Sequence, residues 1–172
     1  PTQTITAYGT FAAQPWMEEL FACAEEQSLV VNVNAENPEI VLRVVELGLL
    51  EELNVFPAYQ IGEEEILVVV NRGSPIQNLT VDEVQGIFAG QGDESVQVWM
   101  YASGLDLQMV FDQFVMKGRS VTSFARLASS PQEMSDVLNS ESDAMGFLPK
   151  HWVTGNIREV YSLGTFPVLA VT

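Results

Sequence analysis

The chain has 172 residues, of which 47% are hydrophobic and 17% charged, and its acidic residues outnumber its basic ones by enough to give a net charge of −16. This composition excludes a disordered chain, and the length suits one domain or two small lobes. Because an acidic surface repels nucleic acid and anionic membranes, we predict neither as a partner. The longest apolar run near the middle, residues 66–70, is far too short for a membrane-spanning helix.

The negative charge is concentrated in residues 1–70, which carry 12 Glu and one Arg. We interpret this excess as a solvated face that keeps the protein soluble. Cys23 is the single cysteine, which excludes an intramolecular disulfide, and its Phe- and Ala-rich surroundings predict a buried thiol. With His151 as the single histidine, the chain offers no transition-metal site and no nucleophile–base pair. We therefore expect no metal, no cofactor and no enzyme activity.

Strand and helix patterns alternate along the first part of the chain. In chain order they predict a strand over residues 4–8, a helix over 15–26, a strand over 29–33 and a helix from 37 to about 48. Asn37 and Pro38 have the residue types of an N-cap and a first helical position, which is why a helix is predicted there. Residues 51–62, broken by Pro57 and Gly62, predict a linker.

The second part of the chain continues the alternation. It predicts strands over residues 66–71, 96–101, 122–127, 144–148, 158–163 and 167–171, and helices over 80–90, 105–116 and 130–138. The continuous apolar run at 66–71 is typical of a parallel strand buried on both faces. Thr80 and Glu83 have the spacing of a capping box.

This alternation predicts an α/β fold with largely parallel sheets. The break at the linker favours two lobes, one formed by residues 1–62 plus 160–172 and the other by 63–159. The chain would then cross between lobes near residues 57–65 and return near 156–163.

Several motifs resemble one family. The valine-rich strand ending at Asn71, the Asn-Leu-Thr run at residues 78–80 and the Ile-Phe-Ala-Gly run at 87–90 keep that family's order and spacing. Three further stretches also match the family. Residues 6–11 resemble its first strand–turn–helix, residues 102–104 its Ser-Gly-Thr turn, and residues 143–149 its Ala-Ile-Gly-Tyr strand. The chain thus resembles the phosphate-binding-protein-like solute-binding proteins of the type II periplasmic-binding-protein-like superfamily.

The resemblance implies two small α/β lobes joined by crossover strands, with a ligand held in the cleft between them. It implies an extracytoplasmic protein, periplasmic or on the cell surface, that captures a small molecule or oxyanion such as phosphate for an ABC importer. The importer's membrane subunits would be partners, the protein would be a monomer, and a lipid anchor would lie in a segment absent from this chain. The alternative is a non-transport sensor or protein-interaction module on the same fold, with a degenerate pocket.

The chemistry expected of such a site is backbone hydrogen bonding, because helix N-termini attract anions without needing a cation. Three turns that follow predicted strands are candidates, namely those at Thr10, at residues 34–37 and at Ser103. The candidate ligand-binding residues are Tyr8, Gly9, Thr10, Phe11, Asn34, Arg43, Tyr101, Ser103, Gly104 and Leu105.

Departures from the family pattern disfavour a doubly charged anion. The Arg that usually precedes the Ser-Gly-Thr turn is absent, Leu105 replaces the Thr of that turn, and Glu36 adds an acid to the turn after the second strand. Arg43 could supply the missing charge, but a surface pair with Glu39 or Glu46 on the predicted helix is the simpler interpretation.

Overall fold

The computed structural model describes residues 3–45 and 57–172. The chain divides into two compact units, one formed by Pro1–Glu64 with Phe166–Thr172 and the other by Glu65–Thr165. The strands are β1 (Gln3–Gly9), β2 (Leu29–Val33), β3 (Ile40–Val44), β4 (Ala58–Asn71), β5 (Gln97–Met100), β6 (Arg126–Leu127), β7 (Ala144–Pro149) and β8 (Ile157–Val171). The α-helices are α1 (Gln14–Glu26), α2 (Val81–Phe88), α3 (Asp106–Phe111) and α4 (Pro131–Ser140), with short 3-10 helices at Phe11–Ala13 and Lys150–Trp152.

The first unit is a small sheet with the strand order β2-β1-β3-β8. Strand β1 pairs in parallel with both β2 and β3, while β3 pairs antiparallel with the last residues of β8. Apolar and β-branched residues line these strands, and the first unit buries Ala7, Leu42, Val44 and Val168 completely or almost so. Helix α1 follows β1, with Pro15 in its first turn, where its missing N–H costs nothing.

The helix predicted from Asn37 is wrong within the described residues, because β3 occupies this stretch, and its predicted end near Gly48 lies outside them. Asn37 has a left-handed backbone (φ +57°) and ends a turn. The next residues are β-branched and find partners on both sides, as Val41 pairs with Tyr8 and with Val171. Pairing with distant strands therefore overrides the local capping signal.

The prediction that Cys23 is buried is also wrong, because the thiol is exposed. Helix α1 buries Met17 and Ala24 instead, and Phe21 remains 40% exposed. The apolar residues of α1 cover a wide part of the helix surface, so the sequence alone does not show which of them face the core. The residues that face it are those on the side of Met17.

The second unit has the strand order β4-β7-β5-β6. Strands β5, β6 and β7 run in parallel, but β4 pairs antiparallel with β7, so the parallel pairing predicted for residues 66–71 is wrong. The burial behind that prediction is correct, since residues 66–71 are all buried. Strand β4 begins at Ala58, inside the predicted linker, whose residues 51–56 lie outside the described part of the chain.

Local sequence signals place the helices of the second unit. The predicted capping box of α2 is present, with the Thr80 hydroxyl accepting from the Glu83 N–H and the Glu83 carboxylate accepting from the Thr80 N–H. Ser130 caps α4 in the same way, by accepting from the Glu133 N–H. Helix α3 changes to π-helical hydrogen bonding over Asp112–Met116, and the left-handed Lys117 ends it.

Two strand predictions near the end of the chain need correction. The strand predicted over residues 122–127 is reduced to the two residues of β6. The two predicted closing strands are one continuous strand, β8, which runs through Gly164 with a positive φ of +106°. Strand β8, like β4, contributes residues to both units.

An aromatic cluster forms the core of the second unit. The Phe147 ring stacks on Phe111 with centroids 4.1 Å apart, and the Tyr101 ring lies nearly perpendicular to Phe147 with centroids 5.1 Å apart. Phe88 packs 4.6 Å from Phe111, and all four side chains are fully buried. Tyr101, the residue that follows β5, belongs to this cluster, so the core holds the chain where it leaves β5 for the Ser103 turn.

Glu65 ties β4 to β8 and to the end of β7 within the second unit. Its carboxylate accepts from the Lys150 ammonium and from the Ser162 hydroxyl, each at 2.9 Å. The hydrogen bond from Lys150 is the larger cause, and that from Ser162 the second, of the lowered pKa of Glu65.

Because the pKa of Glu65 is lower in the folded than in the unfolded protein, its contribution to stability is present above the unfolded value of 4.5 and is lost as the pH falls through the folded value. We expect Glu65→Gln to lower the free energy of unfolding by up to about 1 kcal/mol at pH 7 and by almost nothing at pH 3, since the pair is partly exposed. Urea titrations at both pH values measure this difference. The exposed Glu18→Gln serves as control, and equal losses for Glu65→Gln at both pH values would contradict the assignment.

Candidate functional site

The first unit brings most of its predicted site residues to the carboxyl edge of its parallel strands. Gly9 ends β1, Asn34 follows β2, and Arg43 lies near the end of β3, which runs parallel to β1. The Asn34 N–H donates to the Ala7 carbonyl at 3.0 Å and the Thr10 N–H to the Leu42 carbonyl at 3.0 Å, which fixes this edge. Ligands of open α/β sheets bind at such edges.

The Thr10 turn is held by backbone hydrogen bonds and therefore offers fewer donors than the sequence predicts. The Thr10 N–H is already used within the sheet, and the Thr10 carbonyl accepts from Ala13 at 3.0 Å. Gly9 is a packing residue, because a Cβ there would lie 2.7 Å from the Met17 side chain. The outward-facing parts of this turn belong to Tyr8 and Thr10, which are half-buried, and to Phe11, which is 39% exposed.

Two other predicted residues of the first unit have roles different from those expected. Asn34 does not precede a helix, and its side chain accepts from the Glu36 N–H at 2.8 Å, which closes an exposed turn. Arg43 lies on a strand, so the predicted helical pairing with Glu39 or Glu46 is wrong. The Glu39 carboxylate instead accepts from the Thr6 N–H at 2.7 Å. Glu46 lies outside the described residues. Arg43 is half-buried. It follows Leu42, whose carbonyl accepts the hydrogen bond from the Thr10 N–H.

The second unit presents the Ser103 turn at the carboxyl edge of β5. Ala102, Ser103 and Gly104 are exposed, and a Cβ added to Gly104 would meet nothing within 4 Å. The N-cap of α3 is Leu105, whose N–H donates to the Ala102 carbonyl at 3.1 Å. Ser103 is therefore not the cap of the helix, and its hydroxyl lies on an open turn.

A buried carboxylate stands directly behind this turn. Asp106 is 3% exposed, and one of its oxygens accepts from the Leu107 N–H at 2.9 Å. The first turn of α3 thus has one donor satisfied by a negative charge of the protein itself. A dianion at this turn would meet more repulsion from Asp106 than a singly charged or neutral ligand would.

Sequence reasoning missed a second turn at the same edge. The Ala128 N–H donates to the Met100 carbonyl at 2.8 Å, which sets Ser129 and Ser130 beside the end of β5. Both the N–H and the hydroxyl of Ser129 donate to the Glu133 carboxylate at 2.6 Å, and these bonds hold the pKa of Glu133 below its usual range. The Ser-Ser-Pro-x-Glu run is a signal for this turn, but Glu133 fills the donors that an anion would use.

Tyr101 belongs to the core rather than to the site. Its ring is fully buried, and its hydroxyl donates to the Phe147 carbonyl at 2.9 Å. Burial, with a smaller effect from the Asp106 charge, raises the pKa of Tyr101 well above its usual value, so the side chain stays neutral. Tyr101 is therefore not available to a ligand.

The fold matches solved structures over nearly the whole chain. A structure of a putative phosphate ABC transporter substrate-binding protein with bound phosphate, from Clostridium perfringens, has a TM-score of 0.85 at 15% identity, over 98% of this chain and 86% of the other. An ABC-type phosphate transport receptor from Vibrio cholerae has a TM-score of 0.74 at 18% identity, over 97% and 86% of the two chains. The predicted α/β fold of the periplasmic-binding-protein-like type is thereby confirmed.

The same fold also occurs in a regulator. The regulatory domain of Synechocystis PCC6803 CcmR, in complex with 2-PG, has a TM-score of 0.70 at 7% identity, over 99% of this chain and 87% of the other. No protein-family model and no curated protein matches the sequence. Among residues 3–45 and 57–172, no helix is both long and apolar enough to span a membrane.

Proposed function

We propose that the protein is an extracytoplasmic solute-binding protein that captures a small polar ligand for an ABC importer. The observation that carries this proposal is the match to a phosphate-bound substrate-binding protein at a TM-score of 0.85. Binding and release need no chemistry from the protein, so we propose no enzyme activity. The proposed ligand-binding residues are Thr10 and Phe11 in the first unit and Ser103, Gly104 and Leu105 in the second.

Each of the two turns offers groups that can form hydrogen bonds with a ligand. Thr10 lies at a sheet edge that its N–H fixes by donating to the Leu42 carbonyl, and we propose that its hydroxyl contacts the ligand. Ser103 and Gly104 are exposed and sterically open, so a ligand can approach their backbone closely. These features support hydrogen-bond recognition by the hydroxyls of Thr10 and Ser103.

The charges near the turns favour a singly charged or neutral ligand over the phosphate dianion. Asp106 and Glu133 each satisfy backbone donors at the edge that carries Ser103. A phosphate monoanion carries half the charge of the dianion and O–H groups that can donate, and a zwitterion carries an ammonium, so both meet less repulsion than a dianion does.

Thermal unfolding in the presence of chosen solutes tests the function. A ligand at a hundred times its Kd stabilises the folded state by about 2.7 kcal/mol. The probes are sulfate, L-amino acids and phosphate, with phosphate at pH 5.5 and pH 8 to separate its monoanion from its dianion. We expect a shift from a monoanion or zwitterion and a smaller one from sulfate. No shift with any solute at 10 mM would contradict solute capture.

Ser103→Ala measures the contribution of the second-unit turn. Since Leu105 is the N-cap and Ser103 is exposed, the substitution should leave the melting temperature of the free protein almost unchanged. With the solute identified by the thermal screen, calorimetry should show affinity at least tenfold weaker, the effect of losing one hydrogen bond to a charged group. Ser123→Ala, at another exposed serine of the same unit, should bind normally. Unchanged affinity for Ser103→Ala would place the ligand elsewhere.

A sensor domain is the second candidate function, and the CcmR regulatory domain supports it. The two functions predict the same ligand-dependent stabilisation but different partners. Ligand-dependent binding to importer membrane subunits in detergent supports transport, whereas ligand-dependent binding to another soluble protein supports sensing.

A further inference from the structure

The second unit has a groove at the end opposite the Ser103 turn. Hollows of about 550, 380 and 350 Å³ adjoin one another and share Ile87. They lie around residues 91–96, before the amino ends of the parallel strands β5 and β7, whereas the Ser103 turn follows the carboxyl end of β5. We call this surface the distal groove, and its defining residues are Ile87, Gly92, Asp93, Glu94, Val96 and Phe124.

The charged side chains that line the distal groove are all acidic, and Arg158, a cation in contact with its wall, has its guanidinium engaged by the Ser74 and Ile76 carbonyls. Carboxylates line it at Asp93, Glu94 and Asp143, and Glu83 lines its third hollow. Among the described residues that line the three hollows, none is Lys, Arg or His. The walls between the carboxylates are apolar, with Ile87, Val96 and Leu79 each half-buried. Such a surface is complementary to a partner that combines positive charge with apolar side chains.

The loop that forms the groove is held in place before any partner arrives. The Asp93 carboxylate accepts from the N–H and the hydroxyl of Ser95, at 2.8 and 2.7 Å, and both bonds lower the pKa of Asp93, so it is ionised at neutral pH. Gly90 ends α2 with a positive φ of +85°, and a Cβ at Gly92 would lie 2.8 Å from the Ile87 side chain. A fixed loop loses little conformational entropy on binding.

An exposed aromatic ring stands at the rim of the largest hollow. The Phe124 side chain is 85% exposed, although its backbone is anchored on both sides. Its N–H donates to the Thr122 hydroxyl at 3.3 Å, and its carbonyl accepts from the Gln97 amide at 2.9 Å. The fold thus holds a large apolar ring in water beside a charged groove, as at the aromatic anchors of protein interfaces.

We propose that the distal groove docks a cationic segment of a partner protein, with Lys or Arg side chains on the carboxylates and an apolar side chain against Phe124. Charge complementarity selects this occupant. A second copy of the chain, with its net charge of −16, would meet repulsion at the same surface. This docking is independent of the binding of the solute proposed above, because the distal groove lies at the amino end of β5 and the Ser103 turn at its carboxyl end.

A titration of ¹⁵N-labelled protein with the capped peptide Lys-Leu-Lys-Leu-Lys-Leu tests the proposal. We expect saturable shifts confined to the amides of residues 87–97 and 122–124, weakened by added salt. The double substitution Asp93→Asn with Glu94→Gln should weaken binding at least fivefold, and Phe124→Ala at least threefold. Asn at position 93 keeps the acceptor for Ser95, and the Phe124 ring is exposed, so both variants should fold normally.

Three controls separate docking from general attraction to an acidic protein. Glu18→Gln with Glu19→Gln removes two exposed carboxylates from α1 and should leave the peptide affinity unchanged. The capped peptide Glu-Leu-Glu-Leu-Glu-Leu should not bind. Spermidine should bind at least tenfold more weakly and without dependence on Phe124. The proposal is overturned if the α1 variant loses as much affinity as the groove variant, if Phe124→Ala binds the peptide normally, or if the lysine peptide fails to saturate.

Discussion

Phe147→Ala should lower the free energy of unfolding of the second unit by about 3–5 kcal/mol, the usual cost of removing a buried aromatic ring. The ring stacks 4.1 Å from Phe111, meets Tyr101 at 5.1 Å and has no exposed surface, so the truncation leaves a cavity at the centre of the aromatic cluster. Urea denaturation measures the loss, and native-state hydrogen exchange of the β4 and β7 amides assigns it to this unit.

Phe124→Ala is the matched control for that substitution. It removes the same atoms from a ring that is 85% exposed, and should change the stability by less than about 0.5 kcal/mol. A loss below about 1 kcal/mol for Phe147→Ala, or similar losses for both variants, would contradict the assignment of the core.

Asn71→Leu should lower the free energy of unfolding by about 3 kcal/mol, because it leaves several polar groups without partners. The Asn71 side chain is nearly buried and donates to the Leu138 and Asn139 carbonyls at 2.9 and 3.1 Å. It also accepts from the Gly73 N–H at 2.8 Å and from the Asn156 amide. Leu has a similar volume, so the loss reports the hydrogen bonds rather than a cavity.

Two further variants apportion the effect of Asn71. Asn71→Asp keeps an acceptor for Gly73 and loses both donors, so it should also destabilise the protein strongly. Asn156→Ala removes a single side-chain bond of 3.3 Å from an exposed residue and should cost less than about 1 kcal/mol. If Asn156→Ala costs as much as Asn71→Leu, the stabilising contacts lie outside the Asn71 side chain. Chemical denaturation of all three variants decides between these outcomes.

The features predicted correctly from the sequence are those with a local physical cause. The capping box joins Thr80 to Glu83, three residues apart, and needs no knowledge of the rest of the chain. The apolar run before Asn71 indicates burial whichever partner strand it meets. The fold followed from several such features combined with the family resemblance.

The features predicted wrongly depend on distant partners. Asn37 carries a helix-start signal, but Val41 pairs with Val171, 130 positions further along the chain, and this pairing makes the segment a strand. The buried stripe of α1 is likewise decided by what packs on it, and this packing leaves Cys23 exposed. Neither partner can be identified from the local pattern.

In the candidate site, too, the features with a local cause were predicted from the sequence and those that depend on distant contacts were not. Ser103 and Gly104 are exposed on a turn after β5, where the strand–turn–helix pattern places them. The pattern does not show that Tyr101 is directed into the core, or that Asp106 accepts from the Leu107 N–H. These contacts change the charge that the turn tolerates, so the sequence predicts a ligand-binding turn more readily than it predicts the ligand.

The most direct test of solute binding is an NMR titration of the ¹⁵N-labelled protein with the solute that raises its melting temperature most. We expect saturable shifts with one common Kd in two stretches, residues 10–13 of the first unit and 103–106 of the second. Shifts confined to one of these stretches, or to the distal groove, would contradict the proposed site.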